Sequence, residues 1–277
     1  MRADLHMHTT ESDGLLSREA LFAYAKEKGL DLISITDHDT CKHVEDNRRL
    51  AKKYNIHYIP GIELSTLYDN KNVHVLGYFR DESYQSKMML DYYKTIKKGR
   101  EERAKKFIKN LKKYHNITIT YQRLLDISHG IIARPHIAKA ILEAYPEYTH
   151  NGIFETLIGD FCKAYVKSTE LSLQAGIDLL RKHNAVIVLA HPKLLKKSIH
   201  DAVCAHNYDG IEAIYGLNTE SEIQYYKTLA KKRQMIITAG SDYHGIKNDT
   251  KHRDLGDVSL TGDDLTAFLN CYNKTHI

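Results

Sequence analysis

Cysteine is scarce in this chain. Cys41, Cys162, Cys204 and Cys271 are the four among 277 residues, and they lie far apart. That spacing excludes a CxxC zinc pair, argues against a disulfide framework and fits reduced thiols in a cytoplasm. Long apolar runs are missing too. The longest, "AVIVLA" at 185–190, is the length of a buried strand and too short to span a bilayer. The first strand-like segment starts at once and leaves no room for a signal peptide. No internal repeat or low-complexity tract is found, and nothing points to a membrane or to an obligate protein partner. The net charge of +5 favours an anionic substrate mildly. What abounds is histidine, with 17 copies.

Strand-like and helix-like segments alternate. "ADLHMH" leads to "SREALFAYAKEKG", with Ser17 suited to the N-cap and Gly29 to the C-cap. "LDLISITDHD", "IHYIPGIELS" and "VHVLGYF" read as three more strands; "AVIVLAH", "GIEAIYG" and "QMIITAGSDYH" resume the series further on. This alternation predicts an α/β fold with parallel pairing, and about seven strands suit a closed or nearly closed barrel. Residues 84–165 break the pattern. Ala104, Phe107, Ile108 and Leu111 give the basic run at 94–113 one apolar helical face, and more helix follows in "RPHIAKAILEAY". We expect a barrel domain from residues 1–83 and 166–277, with 84–165 as a helical insertion. The lysines of the basic run (Lys97, Lys98, Lys105, Lys106, Lys109) read as a solvated face or as a nucleic-acid contact.

The histidines answer to the strands. In a parallel barrel, reacting groups gather at the C-terminal strand ends. His6 and His8 lie on one face of the first strand, with Asp13 in the loop beyond. His38, Glu63, His74 and His191 fall on or at the ends of the next four, and Asp242 and His244 close the last. Desolvating so many imidazoles and carboxylates without compensation costs several kcal/mol or more. Divalent cations compensate them together. Mixed nitrogen and oxygen donors suit Zn²⁺, Mn²⁺ or Fe²⁺, and nine ligands exceed the needs of one tetrahedral ion, so two or three ions are expected. Any one of the nine could instead stand behind a ligand. Asp37, next to His38, faces away on a regular strand and reads as such an orienting carboxylate. Glu212 reads as peripheral. His43, His57, His115, His150, His183, His200, His206, His252 and His276 read as surface or structural residues.

"DLHMHTTESDG", "ITDHDT", "GIELS", "HVLGYF", "LAHP" and "GSDYH", in that order, resemble the PHP family (polymerase and histidinol phosphatase domain) over residues 1–83 and roughly 166–250. "ARPHIA" is similar to the stand-alone PHP phosphoesterases that act on nucleotides and RNA 5′ ends. The resemblance implies a distorted (β/α)7 barrel with a helical insertion over a three-metal site. It assigns His6, His8, Glu63 and Asp242 to a first ion, Glu63, His74 and His191 to a second, and Asp13, His38 and His244 to a third. Many PHP proteins carry histidine where Asp13 stands; the "SDG" form is that of the nucleotide-acting branch. Arg134 and His136 carry over as phosphate-binding and catalytic residues. Independently, Pro135 marks a helix start there, helix N-termini favour anions, and arginine is a forked donor matched to phosphate.

The expected activity is metal-dependent hydrolysis of nucleotide phosphate esters, either nucleoside bisphosphates or 5′-end RNA. A hydroxide bridging two ions would attack phosphorus in line, and His136 would help at the phosphate or protonate the leaving oxygen. A histidinol-phosphate-type phosphatase is an alternative that the "RPH" segment disfavours. A metal-dependent amidohydrolase is another; "TDHD" and "SDYH" argue against it. A non-catalytic metal-dependent nucleic-acid binder is a third, set against an intact ligand set.

Overall fold

A computed structural model describes residues 1–128, 131–168, 170–246 and 252–274. The first sheet is parallel and holds β1 (Ala3–Asp4), β2 (Leu32–Ile33) and β3 (His57–Tyr58). Helices α1 (Arg18–Glu27) and α2 (Val44–Tyr54) make the crossovers. Ser17 caps α1 through the Ala20 N–H, and Gly29 ends it at φ 70°, the left-handed conformation glycine adopts at no steric cost.

The second sheet has the order β6-β4-β5-β7-β8-β9. Its strands are β4 (Gly61–Tyr68), β5 (Lys71–Phe79), β6 (Leu171–Ser172), β7 (Ala185–Leu189), β8 (Gly210–Tyr215) and β9 (Ile236–Gly240). All-parallel pairing does not hold here, because β5 runs antiparallel to both β4 and β7. The cause is a two-residue turn. Asp69 (φ 47°) and Asn70 (φ 58°) are both left-handed, as a tight hairpin between right-twisted strands requires. The third strand of the sequence reading is split at Pro60 into β3 and β4.

Single bridges join the two sheets, Met7 to Tyr243 on one side and His38 to Glu63 on the other. The regular ladders therefore form two sheets, not a continuous closed barrel. Buried Asp4 ties the first seam, accepting from the N–H groups of His6 (3.3 Å), Ser241 (3.1 Å) and Gly256 (3.1 Å).

Side-chain alternation explains why the strand sequences are apolar throughout. Val73 and Val75 of β5 and Ile187 and Leu189 of β7 enter one core with Leu173, Ile177 and Leu180 of α7 (Leu173–Lys182). Tyr78, Val186 and Val188 point the other way and meet Leu32 of the first sheet and Leu5 and Ile59 just beyond its strands. Between β5 and β6 the chain forms α3 (Lys87–His115), α4 (Tyr121–Ser128), α5 (Arg134–Ala144) and α6 (His150–Ile153). Met89 and Tyr93 at the start of α3 pack against the sheet. Ala104, Phe107 and Leu111 build a separate core with Leu124, Ile137, Ile141 and Leu157. Helices α8 (Lys197–Cys204), α9 (Glu220–Lys232) and α10 (Gly262–Tyr272) complete the layer around the second sheet. Among the described residues, no helix is long and apolar enough to cross a membrane.

Candidate metal centre

The nine residues read from the strand ends lie in one place. His6 and His8 follow β1, fully buried and on the same side, with Nε2 atoms 3.3 Å apart. Glu63 projects from β4 and Asp242 follows β9. His6 Nε2 is 3.3 Å from both Glu63 Oε2 and Asp242 Oδ1; His8 Nε2 is 3.2 Å from both. Five of the six edges of a tetrahedron are thus 3.2–3.3 Å. A point inside such a figure lies about 2.0 Å from each corner, the length of a zinc–nitrogen or zinc–oxygen bond. Two imidazole nitrogens aimed at one point repel unless they share a positive charge, and a cation there satisfies all four atoms.

Glu63 presents its two oxygens to two sets of residues. Oε2 faces His6, His8 and His38, the last at 3.2 Å. Oε1 is 2.9 Å from both His74 Nδ1 and His191 Nε2. A carboxylate so divided has the form of a bridge between two ions. Asp13 forms another group with His8, His38 and His244; its oxygens are 3.4 Å from His244 and 3.8 Å from His38. The His38 ring therefore lies between two groups, with Nδ1 toward Glu63 and Nε2 toward Asp13. Asp13 Oδ1, His38 Nδ1, Glu63 Oε2 and His74 Nδ1 are buried without a hydrogen bond among the described residues. Buried polar atoms are rarely left so, and ion ligation is the chemistry that fits their donor types.

Electrostatics agree. Burial opposes charge on His8, yet the carboxylates of Asp242 and Glu63 hold its pKa up at about 10. Burial pushes His38 the other way, to about 3, against the pull of Glu63 and Asp13. Burial also works against the Glu63 carboxylate, but His38, His74 and His6 keep it well below the usual range. The cluster is a set of bases short of positive charge.

Two residues around the cluster, Glu212 and His252, escape the sequence reading, whereas Asp37 is read there as an orienting carboxylate. Glu212 is not peripheral. It is fully buried on β8, its Oε1 2.9 Å from His6 Nδ1 and its Oε2 accepting the His191 N–H at 2.7 Å. The signal was a lone carboxylate inside the apolar strand "GIEAIY". Asp37 accepts from the Thr9 N–H and hydroxyl and from the Ser12 hydroxyl at 2.6–2.8 Å. Ser12 Oγ is in turn 3.3 Å from His8 Nδ1, so Asp37 orients His8 through a serine. His252, read as a surface or structural residue, forms a ligand-spaced group with Asp242 and His244 and stacks on His244 at 4.1 Å.

The cluster lines a cavity of about 560 Å³ whose wall includes Arg100, Arg103, Arg134, His150 and Phe154. His150, assigned to the surface, is thus a rim residue. Arg100 of α3 bonds buried Asp39, Ser65 (2.9 Å) and Glu170 (3.4 Å). Arg134 pairs with Asp160 at 2.7 Å. His136 is buried, and its Nδ1 accepts the Ala133 N–H at 2.9 Å, closing the first turn of α5. Arg100, Arg103 and Arg134 line the wall and none of Lys97, Lys98, Lys105, Lys106 and Lys109 does, so the cavity's positive charge comes from arginines and not from the lysine run. His43, His57, His115, His183, His200 and His206 stand outside the cavity wall; His276 lies outside the described residues.

The chain is similar in sequence and in fold to known proteins. The chain is 29% identical over 252 residues to the 5′-3′ exoribonuclease Rnm of Salmonella typhimurium, covering 87% of this chain and 84% of that enzyme. It is 23% identical to the 3′,5′-nucleoside bisphosphate phosphatase of Chromobacterium violaceum, covering 87% of this chain and 86% of that one. A crystal structure from Bifidobacterium adolescentis, described as a metal-dependent phosphoesterase, superimposes with a TM-score of 0.83 at 25% identity. It covers 99% of this chain and 97% of its own. The PHP domain model matches residues 4–248. By that match, which takes in eight of the nine strands and every residue of the histidine–carboxylate cluster except His252, the chain belongs to the PHP domain family.

Proposed function

We propose that the protein is a metal-dependent phosphoesterase that hydrolyses phosphate esters of nucleotides, as nucleoside bisphosphates or at RNA 5′ ends. The observation that carries this reading is the near-tetrahedral set of His6, His8, Glu63 and Asp242 atoms 3.2–3.3 Å apart, with Glu63 turned to a second set. His6, His8, Glu63 and Asp242 would hold one ion, Glu63, His74 and His191 a second, and Asp13, His38 and His244 a third. Divalent ions, when bound, act as Lewis acids and lower the pKa of water. The chain's own residues do the rest. Glu212 and Asp37 fix the ring orientations, and Arg134 offers its guanidinium to a substrate phosphate. His136, tied to Ala133 through Nδ1, closes the first turn of α5 beside Arg134 and would help at the phosphate or protonate the leaving oxygen.

We read the two sheets and their bridging seams as a distorted seven-stranded barrel, and residues 84–165 as an insertion that covers the site through Arg100, Arg103 and Arg134. The four unpaired thiols suit a reducing, cytoplasmic compartment. The relatives named above support the choice of nucleotide or RNA over histidinol phosphate.

The test is phosphate release with Mn²⁺, Zn²⁺ or Fe²⁺ across nucleoside bisphosphates, short 5′-phosphorylated RNAs, histidinol phosphate, and an amide and a lactone. Release from a nucleotide or RNA is expected. Activity confined to the amide or lactone, or binding without turnover, overturns the reading. Arg134→Ala should cut kcat/KM on the order of a hundredfold and leave metal content intact; parent activity in that variant would remove Arg134 from the site.

A further inference from the structure

Glu212 and Tyr215 stand three residues apart on β8, and strict alternation would send them to opposite faces of the sheet. Both reach the histidine–carboxylate cluster all the same. Glu212 bonds His6 and the His191 N–H. The Tyr215 hydroxyl donates to Asp242 Oδ2 at 3.2 Å, and its ring centre lies 5.6 Å from that of His191. A bulge is the cause. Glu212 pairs with Thr238 and Ile214 with Ala239, so two steps along β8 match one along β9 and Ala213 is the extra residue. An extra residue of this kind re-aims the side chains that follow it. Asn218 pins the feature. Its Nδ2 donates to the Ala213 carbonyl and its N–H to the Tyr215 carbonyl, both at 2.9 Å.

The carboxylate that Tyr215 meets is itself under constraint. Asp242 has φ 55°, the left-handed region that residues with side chains seldom adopt, and its N–H donates to the His6 carbonyl at 2.9 Å. That backbone fixes where the side chain starts, but not which oxygen leads. Oδ1 is the oxygen 3.2–3.3 Å from the His6 and His8 rings. Oδ2 faces the phenol, with His252 Nε2 further off at 3.8 Å. A buried phenol beside a carboxylate keeps its proton, so toward Asp242 it acts as a donor. Tyr215 is fully buried, and bulk water does not compete for that bond.

We propose that Tyr215 is a positioning residue of the metal centre: its hydroxyl occupies Asp242 Oδ2, so that Oδ1 alone meets the ion shared with His6, His8 and Glu63. This rests on the reading of those four residues as ligands of one ion. Carboxylates bind cations through one oxygen or through two. A hydrogen bond to the second oxygen settles that choice and keeps the cage at four donor atoms. The bulge at Ala213 thus gives one strand two handles on the cluster, Glu212 on His6 and His191, and Tyr215 on Asp242.

The test is competition for Co²⁺ between the protein and a chromophoric chelator, run on the parent, Tyr215→Phe, Asp242→Ala and the double variant. Phenylalanine keeps the ring and removes only the oxygen. Tyr215→Phe should bind Co²⁺ ~10–100-fold more weakly than the parent, the scale for losing a partner of a metal ligand. Where Asp242 is already alanine, the same change should add less than about twofold, because the two residues act as a unit. A second readout is the visible absorption of protein loaded with one equivalent of Co²⁺. Tetrahedral Co²⁺ absorbs more strongly than Co²⁺ with extra ligands. Release of Oδ2 in Tyr215→Phe should therefore weaken the band per bound ion. That band is read on the single variant, and it decides alone if the double variant fails to fold. A band equal to the parent's, or an affinity within about twofold of it, overturns the role of Tyr215. An equal loss with and without Asp242 does so as well, since it marks a merely structural tyrosine. A parent that takes up no Co²⁺ overturns the metal centre and this role with it. A parent that binds Co²⁺ as expected but releases phosphate from no nucleotide or RNA overturns the hydrolytic reading and leaves the role of Tyr215 standing.

Discussion

Replacing Glu212 by glutamine changes one oxygen for an NH₂ group in a fully buried place. Glu212 is 0% exposed and serves two donors, His6 Nδ1 at 2.9 Å and the His191 N–H at 2.7 Å. The glutamine oxygen can serve one of them. If it keeps His6, the NH₂ faces the His191 N–H, donor against donor. If it keeps His191, the NH₂ donates to His6 Nδ1 and forces the ring proton onto Nε2, the nitrogen aimed at Glu63 and Asp242. Either way one charge-assisted hydrogen bond is lost, about 1.5–3 kcal/mol. Loss of a carboxylate that orients a ligand imidazole typically weakens metal binding ~10–100-fold. We therefore expect Glu212→Gln to bind Mn²⁺ or Zn²⁺ ~10–100-fold more weakly in competition with a chromophoric chelator. The loss should be of the same kind as that in Glu63→Gln, though smaller. Metal affinity within twofold of the parent would refute the argument that Glu212 sets the tautomer of His6.

Other expectations follow from the same geometry. Elemental analysis of protein purified without chelator should find two to three transition-metal ions per chain; one or none after supplementation would exclude a multinuclear centre. Arg100→Ala leaves buried Asp39 and Glu170 without their cation, and thermal unfolding should report a loss of ~3–5 kcal/mol; a melting temperature equal to the parent's would show that the network adds nothing. Gly240→Ala puts a Cβ into His6 Cβ and Glu212 Oε1, so it should lower both stability and metal content, whereas a fully metallated, equally stable variant would mean that β9 yields there without harm.

The ligand set is legible because a histidine or carboxylate at the end of an apolar strand is chemically out of place, and His6, His8, Glu63 and Asp242 each stand out for that reason. The reversal of β5 was also within reach. "DNKN" offered Asp69 and Asn70 as residues that tolerate left-handed backbone, but strand–helix alternation elsewhere favoured parallel pairing. Arg100 was hidden by distance, since its partners Asp39 and Glu170 lie 61 and 70 residues away. Arg103 was hidden by company. Within a basic run every cation looks alike until the helix is wound, and only then do the arginines separate from Lys98, Lys105 and Lys109. Glu212 was passed over because its role is read from the ring it touches, not from its neighbours in the chain.

The seam between Met7 and Tyr243 has a consequence for how the protein is made. Asp242 and His244 follow His6 and His8 by more than 230 residues of chain, and so leave the ribosome long after them. At roughly 5–20 residues per second, the two halves of the tetrahedral set are synthesised on the order of 10–50 s apart. Through that interval the first strand has β2 to pair with but not its β9 neighbour, and the imidazoles it carries face no carboxylate from the far end. A nascent chain can therefore offer a passing cation a pair of histidines and Glu63, a weak and unselective grip, but not the finished cage. The four-atom cage therefore closes only once Asp242 has been made, and any ion it then holds is taken from the pool met from that point on.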